Sequence, residues 1–459
     1  MSSEALESWR TQVEQLRTRF NQSSENAYHQ LPAAYNNDCD LYRWVKAWQG
    51  DIETVLPLLQ THLQLRELLG LDRDEFTARG LRWRDPWGPE DRSEVMALTQ
   101  SAIGMTDLGF CDLFAASGFA SGPVCTPVGM VKTDKDGNII SLVKLGRIDL
   151  KAFTTRMRAS DYLLFNFMSA ERARRVLRAR EVGLNRPVGI TVVYDLAGLS
   201  IGKALLDVIL AGPCGEGVRM VQSHFPELTC RILILNAPAA MDYAWNAVRV
   251  FLAERTRKKV TFLSNGINDL ATYIDAENLP PEYGGTATDT CCIAPVPIPN
   301  DAVLYPTLQE PETLSMTYIK PRDKFYLVTN LTENSRDVVE PGLGISLKWY
   351  FRANGVLVFS IVRIDVVVGD QRQPLTNPQS QNDSSTETLV FPRLSLTTAS
   401  HPEFGTFTME PGANYKLTFE NTAGYFLSTK LEYWCVVVTN DNSVVPLIAA
   451  PSSPGQSPE

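Results

Sequence analysis

The stretch that decides the fold is VGITVVY, residues 188–194, which is an almost continuous run of β-branched and apolar residues. Such a run is typical of a strand that is buried on both faces, as the strands of parallel sheets are. Two further strand patterns follow, RILIL at 231–235 and VTFL at 260–263, and helical patterns fill the intervals at 202–224 and 241–252. This alternation predicts an α/β layer with mainly parallel strands.

Two different patterns flank this layer. Before it, residues 38–71 have a helical pattern, with possible caps at Asp38 or Asp40 for one helix and at Asp51 for the next. After it, the hydrophobic period changes to two, as at Leu347, Trp349 and Phe351, which predicts an all-β sandwich or barrel. Residues 369–388 have almost no apolar content and are expected to form a long mobile loop. The Pro/Ser-rich tail, from about residue 444, is expected to be disordered.

The composition of the chain argues against several classes of function. The net charge of −9, from 52 acidic and 43 basic residues, argues against nucleic-acid binding, which needs a basic surface. The N-terminus lacks the apolar region of a secretory signal, and the longest apolar run, at 356–368, is short and carries two charges, so we expect neither secretion nor a membrane span. The four histidines and eight cysteines complete no metal-ligand spacing, which predicts no metal site.

One motif imitates a nucleotide site. The sequence GLSIGK at 198–203 follows a predicted strand, as a phosphate-binding loop does. However, it has three residues between its glycines instead of four, and Ala204 stands where the motif needs Ser or Thr for magnesium. A nucleotide-dependent enzyme is therefore the weakest hypothesis, and the sequence predicts no catalytic residue and no cofactor.

The segment 241–252 suggests a hydrophobic pocket. Six residues share one face of its predicted helix: Met241, Ala244, Trp245, Val248, Phe251 and Leu252. A basic run that includes Arg255 and Lys259 follows directly in an otherwise acidic chain. An apolar lining that ends in cations would suit acyl chains with a phosphate headgroup. The alternatives are an ordinary core helix and a solvated helix end whose cations complement the helix dipole.

Several motifs resemble known families. ENLPPEYGG at 277–285 resembles the end of CRAL-TRIO lipid-binding domains, the family of the yeast phosphatidylinositol transfer protein, and YDLAGLS at 194–200 and FPE at 225–227 agree in order and spacing. The later GANYKLTFEN at 412–421 resembles part of a GOLD domain. CRAL-TRIO followed by GOLD is similar to the animal supernatant protein factor group.

The resemblance implies a multidomain fold. It consists of an N-terminal helical module at residues 1–80, an α/β CRAL-TRIO lipid-binding domain at 81–290 and an all-β GOLD jelly-roll sandwich at 300–440, which the Pro/Ser-rich tail, expected to be disordered, follows at 441–459. It also makes 241–252 the gate helix of a lipid pocket. The headgroup residues of the family fall on Glu227, Thr256 and Lys259, whereas Trp48 and Gln49 stand where the helical module of the family has a basic pair.

The resemblance further implies a function without chemistry. The expected ligand is a phospholipid, phosphatidylinositol among the candidates, or another hydrophobic lipid, which the protein would carry between membranes or present to partners. The expected location is the cytoplasm, with transient visits to membranes, the Golgi being one candidate, and with possible protein contacts through the GOLD domain. The alternative hypothesis is a trafficking scaffold that acts through the GOLD domain and uses the CRAL-TRIO domain only as structure.

Overall fold

A computed structural model describes most of the chain. The described residues are 6–22, 30–69, 71, 120–123, 132–147, 158–202, 205, 209, 212–288, 310–329, 345–368, 371–374, 385–398, 401–410, 413–422, 427–439 and 442–450. Among the helices within these ranges, none combines the length and the apolar character that a membrane crossing requires.

Three helices form the N-terminal module: α1 (Arg10–Gln22), α2 (Asp38–Ala47) and α3 (Ile52–Leu68). Helix α2 is capped by Asn37, whose side chain accepts from the backbone N–H of Asp40, so neither predicted aspartate is its cap. Asp51 caps α3, as the pattern predicts. The module has its own apolar core, which includes fully buried Leu16, Phe20, Leu41, Val45, Val55, Leu59 and Leu63.

The central layer is a five-stranded sheet in the order β1-β2-β3-β4-β5. The strands are β1 (Ala120–Pro123), β2 (Ile139–Lys144), β3 (Ile190–Asp195), β4 (Thr229–Leu235) and β5 (Val260–Phe262). The last four pair in parallel, as predicted, and β1 runs antiparallel to β2. The helices whose bounds lie within the described residues of this layer are α4 (Ala159–Leu184), α5 (Pro213–His224), α6 (Met241–Val248) and the short α7 (Glu254–Arg257).

The two faces of this sheet differ in how completely they are covered. On one face, Val193 and Leu233 are fully buried under the segment that carries Leu270, Ile274 and Tyr283. On the opposite face, Ile190, Val192 and Tyr194 remain only half-buried. Helix α6 lies over part of this second face, where Met241 packs against a cluster that contains Ile232 and Ile234.

Buried charges join the helical module to the α/β layer. Arg43 of α2 pairs with Glu181 of α4, and Arg66 of α3 pairs with Glu171, all with side chains that are at most 3% exposed. Arg174 and Arg175 of α4 also pair with Glu171, at 3.0 and 2.8 Å. Removing one partner would leave an uncompensated charge in the interior, so this network fixes how the module docks on α4.

Two antiparallel sheets follow the α/β layer. The first contains β10-β9-β13-β7-β16, with β11 also paired to β9, and the second contains β12-β8-β14-β15, with β6 also paired to β14. Their bounds are β6 (Ser315–Ile319), β7 (Lys324–Val328), β8 (Ser346–Ala353), β9 (Val356–Val368), β10 (Gln371–Pro374), β11 (Ser385–Thr397), β12 (Glu403–Thr408), β13 (Asn414–Glu420), β14 (Thr429–Val438), β15 (Val444–Pro446) and β16 (Ile448–Ala450). Trp349, Phe351, Phe359 and Phe419 pack between the strands in a contiguous aromatic core.

Three sequence expectations are wrong here. The tail is not disordered from residue 444, because β15 pairs with β14 and β16 pairs with β7. The expected loop 369–388 contains β10 and the first residues of β11, both paired to β9, while 375–384 lie outside the described residues. The helix expected over 241–252 ends at Val248, and a turn follows in which the N–H of Phe251 donates to Val248 and that of Leu252 donates to Arg249.

The β-sheet region docks on the α/β layer through a buried carboxylate. Helix α4 has no capping side chain of its own at Arg158. Instead, Glu403 of β12 accepts hydrogen bonds from the hydroxyl of Ser160, at 2.7 Å, and from its backbone N–H, at 3.3 Å. The Arg158 guanidinium lies 4.7 Å from the ring centre of Phe404 and also pairs with Asp161. A residue of one region therefore caps the longest described helix of another.

Candidate functional site

The site is centred on Glu227, in the turn just before β4. Its side chain is 4% exposed, and its backbone has φ of +58°, a left-handed conformation that costs energy for a residue other than glycine. Its carboxylate pairs with Lys259 through Oε1 at 2.9 Å and with Lys46 of α2 through Oε2 at 3.0 Å. The Arg255 Nε lies 4.0 Å from Oε1. Three cations from two separate segments thus converge on one buried carboxylate.

The charges of this cluster respond to burial and to each other. Burial raises the pKa of Glu227, but Lys259 and Lys46 outweigh it and hold the pKa below its usual range. For Lys46, Glu227 outweighs burial and raises the pKa, whereas for Lys259 burial prevails and lowers the pKa. Lys46 is the more exposed of the two, at 34% against 17%, and Tyr42 also favours its charged form, whereas Lys46 disfavours that of Lys259.

A glutamine on α5 organises the segment that carries these cations. Gln222 Oε1 accepts from the Thr256 hydroxyl and from the backbone N–H of Ala253, both at 2.8 Å, while its Nε2 donates to the Phe251 carbonyl at 2.8 Å. Arg255 donates to the Gln222 carbonyl at 3.0 Å. One side chain therefore ties the segment beyond α6 to the last turn of α5.

The structure brings the predicted headgroup residues to one place without joining all three directly. Glu227 and Lys259 form an ion pair, but the Thr256 hydroxyl is bonded to Gln222 and not to either of them. Sequence reasoning did not assign Lys46 or Gln222 to the site. Lys46 lies two residues before Trp48, near the position of the missing basic pair, and Trp48 itself stacks under Arg255 with 4.8 Å from guanidinium to ring centre.

The predicted apolar residues divide into two groups. Ala244 is 1% exposed, and Met241, Trp245 and Val248 are half-buried, so the predicted face of α6 does turn toward the protein. Phe251 and Leu252 lie beyond the helix and are also half-buried.

Phe251 is seated where Gly215 of α5 has no side chain. A Cβ at that glycine would lie 2.2 Å from the phenyl ring of Phe251. The Arg219 guanidinium covers the same ring at 4.7 Å from its centre. This notch anchors the far end of the α6 segment on α5.

The apolar face of α6 lies against the half-buried sheet face, and the cation cluster lies at the first residue of β4, where Lys259 donates to the Thr229 carbonyl. Tyr194 on this face is partly accessible, although burial raises the pKa of its phenol. Burial likewise raises the pKa of Tyr162, whose ring contacts Gly217 of α5. Such an arrangement can enclose an apolar ligand between sheet and helices and can hold an anion at its rim.

Among the described residues, no group of three or more metal-ligating side chains is present.

Comparison with known proteins identifies the domain. Residues 125–285 match the family model of the CRAL/TRIO domain. Over 459 aligned residues the chain is 24% identical to the CRAL-TRIO domain-containing protein C34C12.6 of Caenorhabditis elegans. The alignment covers 95% of this chain and 98% of that protein. The chain therefore contains a CRAL/TRIO domain, an α/β domain of a family whose members bind and transfer lipids and are generally not enzymes.

Other similarities are weaker or shorter. The CRAL-TRIO domain-containing protein F28H7.8 of the same organism is 25% identical over 302 residues, and the alignment covers 64% of this chain and 65% of that protein. The protein real-time of Drosophila melanogaster is 29% identical over 171 residues, which are 35% of this chain and only 25% of that protein. The crystal structure of Sfh5 aligns with 65% of this chain and 93% of its own chain, at 15% identity and a TM-score of 0.37.

Proposed function

We propose that the protein encloses one lipid between the α/β sheet and α6 and carries it between membranes or presents it to a partner. The observation that supports this most is the unequal coverage of the sheet. Ile190, Val192 and Tyr194 are half-buried on the face over part of which α6 lies, whereas the opposite face is sealed by its own chain. Apolar side chains in this position are the surface that acyl chains would cover.

The headgroup would lie at the cluster around Glu227. Lys46, Arg255 and Lys259 can bind a phosphate by charge-assisted hydrogen bonds, as the implied role of Lys259 requires. Phospholipids, phosphatidylinositol included, therefore belong to the proposed ligand class. Such a carrier would act in the cytoplasm and visit membranes transiently, with the two β-sheets serving as a GOLD domain for protein or membrane contacts.

The test is extraction of bound lipid followed by mass spectrometry, together with transfer of lipid between vesicles. In addition, Ala244→Trp should abolish lipid loading, because Ala244 is the buried residue on the inner face of α6 and an indole there would enter the space proposed for the ligand. Asn246→Trp is the matched control, since Asn246 is exposed on the same helix. A folded wild-type protein that extracts no lipid and transfers none would refute the proposal.

A second candidate function is a trafficking adaptor that acts through the β-sheet region. Met316 and Tyr318 favour it, because they are 56% and 62% exposed on β6, a strand at the border of its sheet. The Ala244→Trp variant separates the two functions. An adaptor would keep its cellular role when the pocket is filled, whereas a carrier would lose it.

A further inference from the structure

The Glu227 carboxylate is already fully engaged within the protein. Both of its oxygens form ion pairs, Oε1 with Lys259 and Oε2 with Lys46, and the side chain is 4% exposed. Arg255 adds a third positive charge 4.0 Å from Oε1. Because the carboxylate is itself almost inaccessible, a headgroup hydroxyl could reach it only by moving Lys46 or Lys259 aside, which would weaken the pairing of a partly buried cation.

The four charged groups together carry an excess of two positive charges. Among the described residues, Glu227 is the only carboxylate at ion-pair distance from Lys259 or Arg255. The cations keep contact with solvent, with side chains that are 17% exposed for Lys259 and 28% exposed for Arg255. An incoming dianion would therefore meet an unbalanced charge in a partly desolvated place, where electrostatic attraction is strong.

We propose that Glu227 is an internal counter-ion that assembles Lys46, Arg255 and Lys259 into a binding site for a phosphomonoester, and that it does not itself accept headgroup hydroxyls. A phosphomonoester carries −1.5 to −2 charges near neutral pH, about the excess of the cluster, whereas the phosphodiester of phosphatidylinositol carries one. This proposal rests on the proposed function, because it takes the phosphate to be the headgroup of a bound lipid. The perturbed Lys259 agrees with it, since burial lowers the pKa of that ammonium despite Glu227 and a second anion would reverse this.

The two possible roles of Glu227 predict opposite effects for Glu227→Gln. If Glu227 is a counter-ion, the substitution raises the excess charge by one, and affinity for phosphatidic acid should increase on the order of tenfold. If Glu227 accepts hydroxyls, binding of phosphatidylinositol should fall instead. Glu227→Asn guards against misfolding, because asparagine tolerates the left-handed backbone found here.

The experiment measures extraction from vesicles that contain phosphatidic acid, phosphatidylinositol or diacylglycerol in a phosphatidylcholine background, with glycerol 3-phosphate as a soluble arm. We expect wild type to prefer phosphatidic acid to diacylglycerol, Lys259→Ala to lose this preference, and Glu227→Gln to strengthen it. Lys258→Ala is the matched control, since Lys258 is 73% exposed and pairs with Glu254. Glycerol 3-phosphate should compete with phosphatidic acid.

The outcomes separate this inference from the proposed function. Extraction of diacylglycerol and phosphatidic acid to the same extent would overturn the phosphate site and leave the lipid carrier intact. A Glu227→Gln protein that folds but loses phosphatidylinositol, with no gain for phosphatidic acid, would overturn the counter-ion role. Binding of glycerol 3-phosphate without extraction of any lipid would keep the phosphate chemistry and refute the carrier.

Discussion

Glu403→Gln is expected to flatten the pH dependence of the contact between the β-sheets and α4. In wild type, Glu403 is 1% exposed and accepts hydrogen bonds from the hydroxyl and backbone N–H of Ser160. Burial raises the pKa of its carboxyl to about 7, against an ordinary value of 4.5, with Arg158 opposing this and Asp161 reinforcing it. Glutamine keeps an acceptor for the Ser160 hydroxyl but cannot ionise.

The magnitude follows from the difference between folded and unfolded states. An unfolded chain releases the Glu403 proton near pH 4.5, whereas the folded protein retains it until about pH 7. The stabilisation from this proton is therefore complete below pH 4.5 and is lost as the pH rises through about 7. This difference in pKa between the folded and unfolded states corresponds to ~3 kcal/mol of the unfolding free energy. Glu403→Gln should remove this pH-dependent contribution.

The assay compares urea unfolding of wild type and Glu403→Gln between pH 4.5 and 8.5, with hydrogen exchange at the start of α4 as a local probe. We expect the unfolding free energy of the variant to increase relative to that of wild type as the pH rises. At pH 8.5 the backbone amides at the start of α4 should exchange more slowly in the variant than in wild type. Glu410→Gln serves as a control, because Glu410 pairs with Arg363 at a side chain that is 63% exposed. Parallel pH profiles for wild type and Glu403→Gln would refute the reasoning.

Two further substitutions test packing and charge. Gly215→Ala should displace the Phe251 ring from its position on α5. We then expect lipid exchange between vesicles to accelerate and the unfolding free energy to fall by about 1–3 kcal/mol. An unchanged exchange rate would contradict the anchoring role of that contact. Glu171→Gln removes the carboxylate with which three arginines pair. The unfolding free energy measured in urea titrations should fall by about 3–5 kcal/mol. A change within about ±0.5 kcal/mol would show that the docking of the helical module does not depend on the Glu171 charge.

The central layer could be predicted because its signals are local. The run at 188–194 and RILIL at 231–235 carry enough β-branched and apolar residues to indicate strands without knowledge of their neighbours. Asp51 likewise identifies the start of α3, since a cap needs only the next three residues. The strands at 444–450 could not be predicted in this way, because their partners in β14 and β7 are supplied by distant parts of the chain.

The site was only partly visible for the same reason. The sequence indicated that Glu227 and Lys259 belong together, but through resemblance and not through periodicity. Lys46 is a polar residue near the end of an amphipathic helix, and only the docking of α2 places it 3.0 Å from Glu227. The early end of α6 at Val248 depends on the notch at Gly215, which captures Phe251 and which no pattern within 241–252 can reveal.

The bonds of Gln222 fasten the segment from Phe251 to Thr256 to α5 as one unit. Phe251, packed on α5, and Lys259, at the cation cluster, are separated by only eight positions, and Gln222 bonds Phe251 itself and two residues between them. A motion that withdraws Phe251 from α5 must therefore pull on the backbone that positions Arg255 and Lys259. In the proposed carrier, uncovering the acyl chains and loosening the headgroup would be one mechanical event, so that a lipid would be either held at both ends or released at both.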